Sequence, residues 1–280
     1  MKKELIEVSN LKDRQVLLVK LLEQFHNICE ENGLIYNIFG GTMLGAVRHH
    51  GIIPWDDDVD VTMPRNDYNQ FIEKKKKKYS KQFVVHAYPD NDYIYPYAKF
   101  GIRGTKLYEE IVKEKYSCLS LNIDIFPNDG YPQDEGIFEK YRKCEEAIIL
   151  LTYKNDLPHN IIFKTYTIIK KLFYSVLGVD YFVRKQIRLF SQYPENGEYI
   201  VCQGAGWGEK GKLKRSIYYD RAQYEFSGIV VWGIRDYHQH LTNLYGDYMT
   251  PPPKEKQKSS HESLLLVSEE VVNYYLGGKE

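Results

Sequence analysis

Acidic side chains are clustered at one place in this chain, the run DDDVDV at residues 56–61. Side chains of a β-strand alternate between its two faces, so Asp58 and Asp60 would share one face while Val59 and Val61 are buried on the other. Two adjacent carboxylates repel each other unless a cation lies between them. Mg²⁺ suits such a pair, because it prefers oxygen ligands and leaves coordination positions for substrate phosphates; Mn²⁺ is the alternative. Taken alone, the run is equally typical of a solvated turn.

Two glycines and a short helix precede the acidic run. Gly40 and Gly41 follow residues 34–39, whose apolar character predicts a strand, and residues 42–47 predict a helix. Glycines permit a tight turn and the close approach of a ligand, and the first amides of a helix favour phosphate. The order strand, Gly-Gly, helix, acidic strand therefore predicts that phosphate and metal meet here, with Gly40, Gly41 and Thr42 against the phosphate.

Two further charged residues lie in predicted strands. Asp124 stands between Ile123 and Ile125, where a carboxylate is costly unless it is paired or binds a metal; an aspartate on an exposed edge strand is the alternative. Lys99 lies in the predicted strand 93–100. It either projects into the site and balances phosphate charge or runs along the surface with its ammonium group in water.

The stretch 37–64 resembles the LicD family, the fukutin-related group of the nucleotidyltransferase-fold superfamily. The matching blocks are Gly40-Gly41-Thr42, LGAVR (44–48), IPWDDDVD (53–60), NIDIFPNDG (122–130) and YGDYMTPPP (245–253). The resemblance implies an α+β fold, a mixed sheet flanked by helices. It also implies three parts, a nucleotidyltransferase-like catalytic core at 1–135, a helical insertion at 136–200, and a segment at 201–280 that completes the pocket.

The resemblance further implies in-line displacement at phosphorus, in which a phospho-alcohol moves from a CDP-linked donor to a hydroxyl and CMP leaves. Asp58, Asp60 and Asp124 would hold the metal, or Asp124 would take the proton of the hydroxyl. Arg48 and Lys99 would contact the donor phosphate together with the glycines. We expect phosphocholine transfer from CDP-choline onto a glycan or lipid-linked glycan; ribitol, glycerol, ethanolamine and aminoethylphosphonate donors stay open.

Aromatic side chains near the motifs are candidates for the pocket of the alcohol or the acceptor, because aromatic faces bind quaternary ammonium groups. The candidates are Trp55, Trp207 and Tyr248, and Tyr95, Tyr97 and Trp232 also lie within or near segments that would form the pocket. His261 is a further candidate, since relatives typically end the last block in two histidines; here Ser260 stands in the first place. Ordinary packing is the alternative explanation for many of the 25 tyrosines.

Composition excludes several other classes of protein. The chain has 280 residues and a formal net charge of +0, so no overall field attracts nucleic acid. The N-terminus lacks a signal peptide and no apolar run is long enough to span a bilayer. Four scattered cysteines indicate buried thiols in a reducing compartment. We therefore expect a cytoplasmic protein. Rival functions are a metal-dependent GT-A glycosyltransferase, a non-catalytic glycan-binding module, and nucleotide transfer onto protein or antibiotic.

Periodicity predicts helices that position these groups. Residues 11–31 carry apolar side chains at helical spacing and end at Asn32-Gly33. Residues 161–177 are apolar but are interrupted by three lysines. For this segment we expect burial against other helices of the insertion; a position in a membrane interface, and hence peripheral membrane contact, is the alternative. Asp129 and Gly130 are expected to close a turn after the second acidic strand.

Overall fold

The computed structural model describes residues 5–78, 81–134, 136–154, 158, 160–202, 207–259 and 263–277. The strands are β1 (Leu5–Glu7), β2 (Asn37–Ile38), β3 (Asp60–Pro64), β4 (Phe83–His86), β5 (Ala98–Ile102), β6 (Thr105–Glu109), β7 (Cys118–Leu119), β8 (Asn122–Gly130), β9 (Tyr199–Cys202), β10 (Lys212–Lys214), β11 (Arg221–Phe226), β12 (Ile229–Ile234) and β13 (Ser263–Ser268). The helices are α1 (Leu11–Glu31), α2 (Gly40–His49), α3 (Arg65–Lys78), α4 (Glu114–Ser117), α5 (Gly136–Thr152), α6 (Ile161–Leu177), α7 (Val179–Ser191), α8 (Arg215–Tyr219), α9 (Tyr237–Tyr245) and α10 (Glu269–Tyr275).

The central sheet is mixed and is organised around the nine-residue strand β8. On one side β8 pairs in parallel with β3, which pairs antiparallel with β2. On the other side the first half of β8 pairs with β5 and its last residues pair with β9. β4 and β10 extend the sheet beyond β5 and β9. The two predicted acidic strands and the strand of Lys99 are thus direct neighbours.

Helix α1 covers this sheet with its apolar face. Its fully buried residues include Leu17, Leu18, Leu21, Leu22 and Phe25. The ring of Phe25 lies 5.2 Å from that of Phe71 on α3 and 6.0 Å from that of Phe100 on β5. Each such side chain stabilises the fold by about 1.5–3 kcal/mol when it is buried. Gly33 ends the helix at a φ of 60°, which confirms the predicted terminus.

Two smaller β-structures pack beside the central sheet. The first has the strand order β1-β13-β6-β7, so a strand from near the start of the chain pairs with one from near its end. The second is the hairpin of β11 and β12. Together with the mixed sheet and its flanking helices, these elements confirm the α+β prediction.

Helices α5, α6 and α7 form a layer of their own. Buried residues of α5 and α7, including Ala147, Phe182 and Val183, share one cluster. α6 lies against this pair through Tyr174, whose ring is 5.1 Å from that of Phe182. None of the residues of α6 is buried, so the expectation that its apolar side chains pack against the insertion is wrong. The physical reason is its orientation: Lys170 faces inward and bonds Glu146 of α5.

Three local predictions are corrected. The strand predicted at 34–39 is reduced to β2, because Ile35 donates its amide to the Asp67 side chain instead of to a strand. The helix predicted from Thr42 begins at Gly40, so the glycine pair forms its first turn. The strand predicted from residue 93 begins at Ala98, since Pro96 lacks an amide donor.

Two further corrections concern side chains. Asp129 and Gly130 belong to β8 and close no turn. Asp129 is buried and binds Arg65 of α3 through both carboxylate oxygens, at 2.7 and 2.5 Å, which joins the start of α3 to the sheet. Of the four cysteines, Cys118 is exposed and the others are buried.

Candidate active site

A row of charged side chains crosses three adjacent strands. Lys99 on β5 is the register partner of Asp124 on β8, and Asp124 is the register partner of Asp60 on β3. Lys99 Nζ lies 2.6 Å from Asp124 Oδ1. The residues on either side of Asp124, Ile123 and Ile125, are fully buried on the opposite face of the sheet. The two distant acidic segments of the sequence therefore meet.

The surroundings of Asp60 raise the pKa of its carboxyl group well above the ordinary value. Burial is the largest cause, and the charge of Asp58 comes next. Asp124 and Asp56 add to the shift, while Lys99 opposes it. The charges of three other carboxyl groups thus act on Asp60, and the ammonium group of Lys99 opposes them. The burial of the two valines at 59 and 61 confirms the predicted alternation.

Burial also acts on Lys99, where it disfavours the charged form. The carboxylates of Asp124, Glu109 and Asp60 outweigh this effect and raise the pKa of Lys99 above its usual range. Its side chain is only 7% exposed, so the alternative that Lys99 runs along the surface is wrong. Its ammonium group also lies 4.7 Å from the ring centre of Tyr95.

The acidic cluster fits a divalent cation by its charge. Across the described part of the chain, no three Asp, Glu, His or Cys side chains stand together as ligands of one ion. The mutual repulsion that raises the pKa of Asp60 would nevertheless be relieved by a cation beside Asp58 and Asp60. Oxygen donors are also the ligands that Mg²⁺ and Mn²⁺ prefer.

The glycine pair lies directly against these carboxylates. A Cβ atom on Gly40 would stand 3.5 Å from Asp60 Oδ2, and one on Gly41 would stand 3.2 Å from Asp56 Oδ2. Gly40 has a φ of 51°, which side chains rarely adopt. Thr42 Oγ1 accepts a hydrogen bond from the amide of Asp60 at 2.7 Å. The start of α2 and the acidic strand are therefore held together as one unit.

Tyr245, at the end of α9, reaches the same place. A Cβ atom on Gly40 would lie 3.6 Å from its hydroxyl oxygen. Burial, then the charges of Asp60, Asp56 and Asp58, raise the pKa of Tyr245, so its hydroxyl keeps its proton. The ring of Trp207 lies 5.4 Å from the Tyr245 ring.

A buried ion pair connects the acidic run to helix α1. Arg14 of α1 lies 3.1 Å from Asp57, and it also donates to the side chain and the carbonyl oxygen of Ser263 on β13. Arg14, Asp57 and Asp58 line a cavity of about 70 Å³ together with Lys99 and Asp124. Asp57 is thus paired with an arginine, while its neighbours Asp56 and Asp58 act on the carboxyl group of Asp60.

Comparison with known proteins now identifies this region. Residues 33–168 match the model of the LicD/FKTN/FKRP nucleotidyltransferase domain. The chain carries a LicD-family domain. It is 29% identical over 260 residues to the lipopolysaccharide cholinephosphotransferase LicD of Haemophilus influenzae, covering 90% of this chain and 96% of that protein. An uncharacterized protein of Rickettsia typhi is 31% identical over 121 residues, which are 42% of this chain and 36% of that protein.

The other residues predicted for the LicD-family site lie at different distances from the acids. Arg48 donates to the carbonyl oxygen of Tyr248 at 2.9 Å and to His49 at 2.9 Å. Its pKa is lowered by burial and is raised in part by nearby Tyr245. Trp55 packs edge-on against His49, at 5.9 Å. Arg48 and Trp55 therefore both contact His49, the last residue of α2.

The structure describes the contacts of one further predicted pocket residue, Tyr248. Tyr248 hydrogen-bonds His238 through its hydroxyl, at 2.9 Å. Tyr245, three residues earlier in the same block, is the tyrosine that approaches the carboxylates. His261 and Ser260 lie outside the described residues.

An aromatic cavity of about 120 Å³ lies beside Lys99. It is lined by Tyr95, Tyr97, Tyr141, Tyr153 and Glu145, with further residues of α5 and the segment before β5. Tyr95 and Tyr97 lie between this cavity and the row of charges, since their ring centres are 4.7 and 5.5 Å from Lys99 Nζ. Burial raises the pKa of Glu145, which is half-buried. Sequence reasoning missed Tyr153 and Glu145, because they come from the insertion, where no motif marks them.

Proposed function

We propose that this chain is a metal-dependent phosphotransferase that moves phosphocholine from CDP-choline to a hydroxyl group of a cell-surface glycan and releases CMP. The observation that carries the proposal is the row of Asp60, Asp124 and Lys99 on neighbouring strands, with Gly40 and Gly41 opposite. The Haemophilus relative, which matches over most of both chains, bears the name of a cholinephosphotransferase acting on lipopolysaccharide. It supports the choice of group and of acceptor.

In this proposal the residues of the chain orient the donor. Within α2 the first amide to donate a helical hydrogen bond is that of Met43, to the carbonyl oxygen of Phe39. The amides of Gly40, Gly41 and Thr42 precede it, and we assign them to the donor phosphates. Arg48 and Lys99 supply positive charge from either side. The glycines keep the carboxylates and the phosphates close, since any Cβ atom there would meet Asp60 or Asp56.

Asp58 and Asp60, with Asp124 at their side, would hold the Mg²⁺ or Mn²⁺ ion, which when bound neutralises phosphate charge and orients the reacting oxygens. In the transfer, the acceptor oxygen bonds to the phosphorus that bears choline, and the bond from that phosphorus to the CMP oxygen breaks. The hydroxyl proton passes to a carboxylate, for which Asp124 is the candidate. Lys99 Nζ lies 2.6 Å from Asp124 Oδ1, so a positive charge faces the carboxylate that would take this proton.

The aromatic cavity supports choline over neutral alcohols. Four tyrosines line it, and aromatic faces attract quaternary ammonium groups. Its volume of about 120 Å³ suits a trimethylammonium group. A cation bound there would also compensate the partly buried charge of Glu145. Ribitol and glycerol lack such a cation, and ethanolamine lacks the methyl groups that an aromatic lining favours.

The test is a panel of CDP-choline, CDP-ethanolamine, CDP-ribitol and CDP-glycerol, each with lipopolysaccharide and Mg²⁺. We expect CMP release with CDP-choline and a phosphocholine adduct on the glycan by mass spectrometry. Asp58→Ala and Asp60→Ala should abolish transfer, whereas Asp220→Ala, at an exposed ion pair, should not. Sugar transfer from a UDP-sugar, or no CMP release from any donor, would contradict the proposal.

A second measurement tests the cavity separately. Glu145→Gln should raise KM for CDP-choline and leave kcat nearly unchanged, because it removes a charge that binds ground state and transition state alike. Glu139→Gln, on the exposed face of the same helix, is the matched control. If Glu145→Gln changed nothing while CMP was still released, the cavity would not be the choline site.

A further inference from the structure

Helix α6 presents its apolar side chains to solvent. Val176 is 86% exposed, Ile161 77% and Ile162 73%. Five more of its large side chains are each more than 60% exposed, namely Phe163, Tyr166, Ile169, Leu172 and Phe173. A contiguous apolar patch of this kind is uncommon on a protein surface unless something binds it.

Of these eight exposed side chains, all but Phe163 lie on one side of the helix. At 100° per residue, the positions from Ile161 through Leu172, Val176, Ile169, Ile162 and Phe173 to Tyr166 span an arc of about 140°. The one other residue in that arc is Thr165. No charged residue interrupts the arc, so it forms a continuous apolar surface, which we call the α6 apolar face.

The polar side of the helix faces the protein. Lys170 bonds Glu146 of α5 and lies over the rings of Tyr166 and Tyr174. Thr167 and Lys171 are half-buried on the same side. An amphipathic helix that packs on a protein core has the opposite orientation. The α6 apolar face is therefore directed away from the rest of the chain by specific contacts.

The charges beside this face indicate what covers it. The helix contains three lysines and no acidic residue. Lys164 and Lys171 lie on the polar side, about 60° and 80° beyond the edge of the apolar face at Ile161. Lys113 lies near enough to Lys171 for the two charges to influence each other. A helix with an apolar face, lysines on its polar side and no acidic residue is typical of an interface between water and anionic lipid.

We propose that α6 docks the protein on an anionic lipid bilayer, with its apolar face among the acyl chains and Lys164 and Lys171 at the level of the lipid phosphates. The helix has 17 residues, and at 1.5 Å per residue it is about 25 Å long and lies parallel to the bilayer plane. Among the described residues, no helix is long and apolar enough to cross a membrane. This proposal does not depend on the chemistry of the active site.

The experiment is co-sedimentation of the full chain with vesicles of phosphatidylcholine and phosphatidylglycerol in equal parts, and with vesicles of phosphatidylcholine alone. We expect binding to the anionic vesicles that weakens at high salt. The double variant Ile162→Ser, Phe173→Ser should reduce this binding about tenfold or more, because it removes two of the inserted side chains. The control variant Met249→Ser, Tyr274→Ser removes exposed apolar groups elsewhere and should bind as the wild type does.

Two further measurements separate the outcomes. Lys164→Glu with Lys171→Glu should weaken binding to anionic vesicles. Circular dichroism and CMP release with a water-soluble acceptor should be unchanged in all these variants, so a failure of the proposed function would not be mistaken for a failure of docking. No vesicle binding by the wild type would overturn the proposal. So would a wild-type dimer in ultracentrifugation that the Ile162, Phe173 variant converts to a monomer.

Discussion

Replacing Arg14 by Met should destabilise the protein strongly although Arg14 is outside every motif. The side chains of Arg14 and Asp57 are only 10% and 2% exposed, and Arg14 makes three hydrogen bonds of 2.9–3.1 Å to Asp57 and Ser263. Met fills a similar volume but leaves the buried carboxylate without its arginine. Breaking a buried ion pair in this way costs about 3–5 kcal/mol, a large part of a typical stability of about 5–15 kcal/mol.

The assay is urea unfolding followed by tryptophan fluorescence, with a double-mutant cycle. Arg14→Met combined with Asp57→Asn should recover most of the lost free energy of unfolding, since no buried charge remains. Lys20→Met is the control, because the ion pair of Lys20 with Glu23 is exposed and contributes about 1 kcal/mol or less. At temperatures where Arg14→Met is still folded, its rate of transfer should be about tenfold lower than that of the wild type, because Asp57 positions its neighbours Asp56 and Asp58.

Two results would contradict the role of this ion pair. If Arg14→Met lost no more stability than Lys20→Met, the ion pair would not hold the acidic run. If the double variant were as unstable as the single one, the loss would come from Ser263 or from packing, and the electrostatic explanation would be wrong.

The remaining predictions concern three other sites. Asp60→Asn should abolish transfer yet raise the free energy of unfolding of the metal-free protein at pH 7. Folding raises the pKa of Asp60, so the wild-type protein loses stability as the pH rises above about 4. An unchanged or lower free energy of unfolding in the variant would contradict this. Thr42→Val should cost about 1–3 kcal/mol by leaving the Asp60 amide without its acceptor, whereas Thr42→Ser should keep the bond, as chemical denaturation can measure. Burial lowers the pKa of His240 from 6.5 to about 4. The unfolded chain therefore binds more protons, and stability should fall by about 3 kcal/mol as the pH decreases from about 6.5 through about 4; in His240→Phe this part of the pH dependence should be absent.

The sequence predicted the parts of the site whose signal is local. Alternation in the acidic run gave the common face of Asp58 and Asp60, and the isoleucines around Asp124 gave its direction. Periodicity predicted α1 and α6 with nearly the observed ends. Each of these signals is contained in a window of a few residues, so neighbouring side chains alone determine it.

What the sequence did not predict depends on contacts between distant segments. Arg14 acquires its role from Asp57 and Ser263, 43 and 249 positions away. Asp129 is typical of a turn residue, yet Arg65 stabilises it inside β8. The same holds for α6, whose apolar composition favoured burial although none of its residues is buried. The contacts of Lys170 with Glu146 and of Tyr174 with Phe182 show which side of that helix faces inward.

The position of β13 between β1 and β6 has a consequence for biosynthesis. Ser263, on β13, receives two hydrogen bonds from Arg14, and the same guanidinium group fixes Asp57. On the ribosome, α1 and the acidic run leave the exit tunnel long before residues 263–268 do. The contacts that Arg14 makes with Asp57 and Ser263 therefore cannot all form before residues 263–268 have emerged, and a nascent chain that ends before them should show no transfer.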